Sequence, residues 1–224
     1  MTIRAVVFDL DDTLAVTSRD RERLLGEAAH RAGVDPDFDR DDYVRAHGEH
    51  SAGGSRRPVF EALVDDGEDA EHLTRAYREA IGTSLAPVDG AAAMLAALGD
   101  RYRLGLLTDG PEETQRDKLR RLGWGDAFDA VVVTGRLDAP KPDLEAFDAI
   151  ADALNVDNGA VVYVGDSPER DVVGAAEAGM RPVQVVFAGG PDPHPRAVAV
   201  VRRGDLRSLP RVLESLGGHR ADDA

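Results

Sequence analysis

Ile3-Arg4-Ala5-Val6-Val7-Phe8-Asp9-Leu10-Asp11-Asp12-Thr13 sets the reading of the whole chain. Ile3 to Phe8 is apolar except at Arg4, the pattern of a strand buried on both faces. Such a strand belongs to a parallel sheet covered by helices. It runs straight into the carboxylates Asp9, Asp11 and Asp12. Open parallel sheets bind ligands just past the carboxyl ends of their strands, near the point where strand order reverses.

Outward from this stretch, Leu104 to Leu107, Val131 to Val133, Ala160 to Val164 and Pro182 to Phe187 have the same strand character. Helical stretches alternate with them: Glu112 to Leu122, Leu144 to Leu154 and Glu169 to Ala178. Pro111 and Pro168 stand where first-turn prolines belong, each with Glu close behind. Alternating strand and helix predicts an α/β fold, a doubly wound, Rossmann-like parallel sheet. Val198 to Val201 adds a short late strand and Leu206 to Leu216 a closing helix, and residues 217–224 are expected to fray. The interruption at 15–86 has helical patterning, read as Arg19 to Ala32, Asp39 to His47, Arg57 to Val64 and Ala70 to Ile81. The expected organisation is therefore a core of 1–14 and 87–216 with an inserted α-helical domain at 15–86.

Composition narrows the possibilities. The 224 residues include no cysteine, which excludes disulfides, thiolate zinc sites and cysteine nucleophiles. No apolar run approaches the roughly 20 residues of a membrane helix, and no secretory signal pattern is present, so a cytoplasmic protein is expected. The net charge of −15 should repel nucleic acid and anionic membranes. Lys118 and Lys141 are the only lysines among 27 cationic residues. Arg-for-Lys usage does not by itself add acid, so the excess carboxylates read as adaptation to high salt, where they stay hydrated and their self-repulsion is screened.

Four short segments fall past predicted strand ends: Asp9-Leu10-Asp11-Asp12-Thr13, Thr108-Asp109-Gly110, Lys141-Pro142-Asp143, and Gly165-Asp166 with Asp171. Taken singly, Asp11 and Asp12 are ordinary turn residues and Thr108 a helix cap. The order and spacing of all four together carry the weight. They resemble the four motifs of the haloacid dehalogenase superfamily, in particular its phosphatase branch. The run Gly165-Asp166-Ser167-Pro168-Glu169-Arg170-Asp171, followed by Gly174 to Met180, is similar to the fourth motif and its helix. The long insertion resembles that family's type-1 α-helical cap.

Unaided hydrolysis of phosphate monoesters is among the slowest of biological reactions. An attacking carboxylate splits it into two steps through an acyl phosphate, and Asp9 is the candidate nucleophile. The resemblance implies a Mg²⁺ ion held by Asp9, the backbone carbonyl of Asp11 and Asp166, with Asp171 supporting that shell. Asp11, two residues on, faces the same way in extended backbone and suits a general acid, then a general base. The commonest family pattern has Gly where Asp12 stands. Thr108 offers a hydroxyl to phosphate, and the N–H groups of Asp109 and Gly110 a small anion nest. Many relatives have Asn at the Asp109 position, so its carboxylate is expected to turn away. Lys141, a lysine kept in an arginine-rich chain, suits a site that needs a compact ammonium to neutralise phosphate and orient Asp9. Lys118 reads as a surface charge. In the insertion, Arg56 and Arg57 beyond the Gly-rich joint 51–55 are candidate specificity residues, and His47 and His50 form an i, i+3 pair.

The favoured function is a Mg²⁺-dependent phosphatase acting on a small phosphorylated metabolite, as a monomer or weak homodimer. The 107–119 segment is similar to members acting on nucleoside monophosphates and on sugar phosphates such as N-acylneuraminate 9-phosphate, and phosphoglycolate or a triose phosphate is equally open. A phosphomutase shares Asp9 and Asp11, and a catalytically inactive phosphate-binding module is a further alternative. A dehalogenase lacks the second aspartate, because halide leaves without a proton. A receiver domain has its phosphorylated Asp on a middle strand and lacks an insertion of this size. If the acidic composition is a salt adaptation, the melting temperature rises between low-salt buffer and molar KCl. No rise in a thermal melt would refute it.

Overall fold

A computed structural model describes residues 2–35, 37–50, 55–137 and 139–217. Its strands are β1 (Ala5–Phe8), β2 (Ala15–Thr17), β3 (Leu85–Pro87), β4 (Arg103–Thr108), β5 (Ala130–Val133), β6 (Val161–Gly165), β7 (Arg181–Val186) and β8 (Ala199–Arg202). Its α-helices are α1 (Arg21–Ala32), α2 (Arg40–His50), α3 (Arg57–Glu61), α4 (Gly67–Ser84), α5 (Ala91–Gly99), α6 (Glu112–Leu122), α7 (Leu144–Leu154), α8 (Gly174–Glu177) and α9 (Leu209–Ser215).

Six strands form one sheet in the order β5-β4-β1-β6-β7-β8, and every neighbouring pair is parallel. The fold is a Rossmann-like α/β sheet with flanking helices. The central strand β1 pairs Val6 with Leu104 of β4 and with Val162 of β6. From β1 the chain builds outward to β5, then crosses back to β6 and continues to β8. Strand order thus reverses at β1, which opens a crevice beyond its carboxyl end.

All four residues of β1 are buried. Ala5 and Val7 pack on the face formed by Phe147, Ile150 and Leu154 of α7, with Leu107 and Tyr163. Val6 and Phe8 alternate to the opposite face and are equally inaccessible. Helix α7 begins on an Asp143 side chain that accepts from Glu145 N–H at 3.0 Å and ends at Asn155 in the left-handed conformation, φ 52°.

The chain divides into two compact units: Met1–Val16, Pro87–Asp109 and Trp124–Ala224 form one, Thr17–Ala86 and Gly110–Gly123 the other. The second unit has its own apolar core of Leu24, Tyr43, Phe60, Leu73, Tyr77 and Ile81. Three of its rings meet at centroid separations of 5.3–5.8 Å. Asp20 caps α1, Gly33 closes it at φ 73°, and Asp66 caps α4. Within this unit Arg121 of α6 pairs with Glu79 of α4 at 2.8 Å.

Several elements differ from the expected ones. β2 and β3, at the two ends of the inserted segment, pair as a two-stranded ribbon where only helix was expected. Three residues are too few for period-2 alternation to show. Helix α5 was not foreseen, because Ala91 to Leu98 is all Ala, Met and Leu and lacks a polar face to mark a helical period. The expected helix from Glu169 opens as a π-helical turn, Pro168–Val173, before α8. The closing helix starts later, at Leu209, after a 3₁₀ turn. Lys118, read as a surface charge, is 2% exposed. It shares a buried helix face with Thr114, Gln115 and Leu119, spaced three and four residues apart, a face whose polar side chains hid it from the hydrophobic pattern. The joint at 51–54 and the tail beyond residue 217 lie outside the described residues.

Gly105 of β4 marks close packing between sheet and α7. A Cβ there would sit 2.8 Å from Leu154 Cδ1 and 3.1 Å from Val7 Cγ2. Gly105→Ala should therefore destabilise the fold by about 1–3 kcal/mol. Urea unfolding should show a lower midpoint at unchanged slope.

Candidate active site

β1 delivers Asp9 to the crevice, held by its N–H donating to Val164 carbonyl at 2.9 Å. The side chain is buried, 6% exposed. The turn after β1 closes through Leu14 and Ala15 N–H groups donating to Leu10 carbonyl, both at 3.0 Å, and Asp11 bridges to Ala15. Asp12 has φ 61°, a left-handed conformation that suits Gly and that Asp tolerates. This accounts for the shape of the turn at the position where the resemblance expects Gly.

Lys141 reaches the same point from the loop before α7. Its Nζ donates to Asp9 Oδ1 at 2.8 Å, to Asp171 Oδ1 at 2.7 Å and to Tyr163 OH at 3.0 Å. The side chain is 3% exposed. Asp171 is placed by the π-helical turn, which starts on Ser167, and its Oδ2 accepts Ser167 N–H at 2.9 Å. A Cβ on Gly165 would lie 2.5 Å from Asp171 Cγ. The end of β6 must therefore be Gly for Asp171 to reach Lys141. Asp166 accepts from Thr13 Oγ1 at 3.3 Å.

Carboxylate oxygens of Asp9, Asp166 and Asp171 lie within 4.8 Å of one another. Burial pushes the Asp9 carboxyl well up, Lys141 pulls it down, and Asp171 and Asp166 push it up further. Burial alone would lower the Lys141 pKa, but Asp171 and Asp9 outweigh it and keep the ammonium charged. Burial, then Asp171 and Asp12, push Asp166 up to about 6. The ammonium is bonded to Asp9 and Asp171, whereas Asp166 receives only the Thr13 hydroxyl among the contacts above. A hard-oxygen donor set with unbalanced negative charge fits a divalent cation such as Mg²⁺.

Thr108 ends β4 and is fully buried, and Gly110 takes φ 122°. The Asp109 carboxylate is committed to the loops beside it: its Oδ1 accepts from Thr134 Oγ1 at 2.9 Å and from Lys141 N–H at 3.1 Å. In the helical unit, Arg57 is exposed and bonded to Glu61 at 2.7 Å and Glu71 at 3.4 Å. Arg56 differs. Its Nε and Nη1 are buried without a hydrogen-bond partner among the described residues, and its guanidinium lies 5.6 Å from the Tyr77 ring centre. His47 packs beside Tyr43, and His50 is exposed next to Glu49. Among the described residues, the metal-type cluster is Asp9, Asp166 and Asp171, with no histidine in it.

Tyr163 was missed from sequence. Its hydroxyl also lies 3.1 Å from Asp171 Oδ1 and 3.3 Å from Leu107 carbonyl, and its ring packs on Phe147 at 5.2 Å. The one available signal was a phenol within the otherwise aliphatic run Val161-Val162-Tyr163-Val164. A fully buried hydroxyl needs partners.

The raised Asp166 has a stability consequence. An unfolded Asp titrates near 3.9, so the ion-free native state loses stability as pH rises from about 4 through 6, and the penalty stays in full above that. Asp166→Asn removes it. In EDTA, this variant should melt roughly 5 °C above wild type at pH 8 and show no gain at pH 4. The same change at both pH values would contradict the assignment.

The family model described as haloacid dehalogenase-like hydrolase matches residues 3–179. The chain is 32% identical over 249 residues to phosphoserine phosphatase of Thermus thermophilus, covering 92% of this chain and 98% of that one. It is 33% identical over 109 residues to pyrimidine 5'-nucleotidase YjjG of Escherichia coli, covering 48% of each, so the match spans about half the length of that relative. The crystal structure of a HAD phosphatase from Thermococcus onnurineus superposes with a TM-score of 0.72 at 27% identity, covering 98% of this chain and all of that one. With the family model spanning most of its length, the chain belongs to the haloacid dehalogenase-like hydrolases.

Proposed function

We propose that the chain is a Mg²⁺-dependent phosphatase that hydrolyses a small phosphorylated metabolite through a phosphoaspartate on Asp9. The observation that carries this is the buried convergence of Asp9, Lys141, Asp166 and Asp171, with the Lys141 ammonium 2.8 Å from the nucleophile oxygen. The curated relatives compared above are named as phosphate-ester hydrolases.

An Asp9 carboxylate oxygen attacks phosphorus while the bond to the leaving oxygen breaks. Asp11 gives its proton to that oxygen, so the product departs as an alcohol. Asp11 then takes a proton from water as the water attacks phosphorus, and the phosphoaspartate opens to phosphate and free Asp9. Lys141 neutralises phosphate and holds Asp9 in line. Thr108 and the N–H groups of Asp109 and Gly110 bind the phosphate oxygens. Asp9, the Asp11 carbonyl and Asp166, with Asp171 behind them, would hold a divalent ion, which would supply positive charge to screen the repulsion between carboxylate and phosphate.

The substrate is a small phosphorylated metabolite such as a nucleoside monophosphate or a sugar phosphate, with phosphoglycolate and a triose phosphate equally open. The two curated relatives name different substrates, which matches a shared core chemistry with separate recognition. The insertion is read as a cap, with Arg56 as its specificity residue. The Arg56 Nε and Nη1, without a hydrogen-bond partner among the described residues, support that choice, and the ion pairs of Arg57 weaken the case for Arg57. Within the same reading, the protein works in the cytoplasm as a monomer or weak homodimer, and its acidic surface is an adaptation to high salt. Among the described residues, no helix is long and apolar enough to cross a membrane.

Asp9→Asn should abolish release of phosphate from p-nitrophenyl phosphate in Mg²⁺. EDTA should stop the wild type and added Mg²⁺ restore it. Activity near wild type in the variant would refute the nucleophile, and full activity in EDTA the ion. A panel of phosphorylated metabolites in molar KCl identifies the substrate. Isomerisation of a sugar phosphate without phosphate release would replace the phosphatase by a phosphomutase, and inertness to the whole panel would leave an inactive binding module.

A further inference from the structure

Asp12 and Asn155 are the non-glycine residues with positive φ among those described. Asn155 ends a helix, where this conformation is common. Asp12 lies between Asp11 and Thr13, in the turn that carries the nucleophile. For a residue with a Cβ, left-handed backbone is disfavoured, because the Cβ crowds the following carbonyl oxygen. A carboxylate here also adds negative charge, between Asp11 and a Thr13 whose hydroxyl bonds to Asp166.

One side chain answers both problems. Arg203 Nη1 donates to the Asp12 carbonyl at 3.2 Å and to Asp12 Oδ1 at 3.3 Å. The guanidinium carbon lies 3.7 Å from the centre of the Phe187 ring. Phe187 follows β7 and Arg203 follows β8, so the far edge of the sheet grips the turn after its central strand. The Asp12 side chain is 52% exposed and that of Arg203 23%. A lone pair at such exposure contributes little. Here one guanidinium binds the main chain and side chain of the same residue while resting on an aromatic face, which restrains both partners. On the other side of Asp12, Thr13 bonds to Asp166, so the turn is tied at two consecutive residues.

We propose that Arg203, seated on Phe187, is a positioning residue: it clamps Asp12 in the left-handed turn that aims Asp9 and Asp11, and it masks the Asp12 carboxylate from an incoming phosphate anion. The masking half rests on the phosphatase reading. The clamp itself does not.

The test is a double-mutant cycle of Arg203→Ala and Asp12→Gly. With p-nitrophenyl phosphate and Mg²⁺ in low salt, Arg203→Ala should raise KM about tenfold, lower kcat by less, and lose most of the KM effect in molar KCl. On the Asp12→Gly background, the same substitution should change KM by less than about twofold, because neither a carboxylate nor a strained turn is left to restrain. An unchanged KM in Arg203→Ala, or an equal rise on both backgrounds, would overturn the proposal. Thermal melts in EDTA read the clamp without turnover. Arg203→Ala should lower the melting temperature in the wild-type background and leave it unchanged beside Asp12→Gly, whereas equal lowering in both overturns the clamp. A wild type without phosphatase activity whose melts still show this coupling would defeat the phosphatase reading and leave the clamp standing.

Discussion

The structure around the crevice depends on one buried ammonium. Lys141 is almost wholly removed from water yet stays charged, because Asp9 and Asp171 lie within hydrogen-bond distance of Nζ. Removing either sign alone would leave an uncompensated charge in a low-dielectric site, far costlier than the pair together. Three carboxylates against one ammonium still leave negative charge in excess. The cost is borne by the sheet, whose parallel strands hold β1, β4 and β6 rigidly side by side and bring their carboxyl ends to one place.

Core and site form a continuous body. The ring of Tyr163 belongs to the apolar face shared with Phe147, while its hydroxyl meets Lys141 and Asp171. Gly174 has a comparable role. A Cβ there would lie 2.7 Å from the Phe147 ring and 2.9 Å from Pro142, so the helix after Asp171 packs close beneath the loop that carries Lys141. The absence of side-chain atoms at Gly165 and Gly174 lets the charged groups approach, just as bulk at Phe147 and Ile150 drives the strands and helix together. Changes in this apolar face would therefore alter the electrostatics of the crevice without touching a charged residue.

The groups that would handle phosphate sit on strand ends and tight turns, where backbone hydrogen bonds fix their position. The second unit is built differently. Its helices close around an aromatic core of Tyr43, Phe60 and Tyr77, and the Arg56 guanidinium lies 5.6 Å from the Tyr77 ring centre. A guanidinium over an aromatic ring is a versatile acceptor-seeking group, suited to recognition more than to bond breaking. Relatives are named for substrates as different as a pyrimidine nucleotide and phosphoserine.

The alternation of apolar strands with helices identified the parallel sheet, and the boundaries of α7 agree with the periodicity because it carries a clear apolar stripe between the Asp143 cap and Asn155. The four acidic and basic segments were legible because their chemistry is written in residue type and order. Asp9, Lys141, Asp166 and Asp171 come together from positions up to 162 residues apart. What stayed hidden depends on which side chains meet after folding. Tyr163 looks like core until its hydroxyl is placed, Lys118 looks like surface until its helix packs, and Arg203 pins Asp12 across 191 residues of chain. Residue order by itself determined the sheet, the helical insertion and the identity of the charged groups, because periodicity and residue type encode burial and chemistry locally. Only the tertiary structure decided who bonds to whom, because strand register and close packing set those distances and neither is a property of any short stretch of sequence.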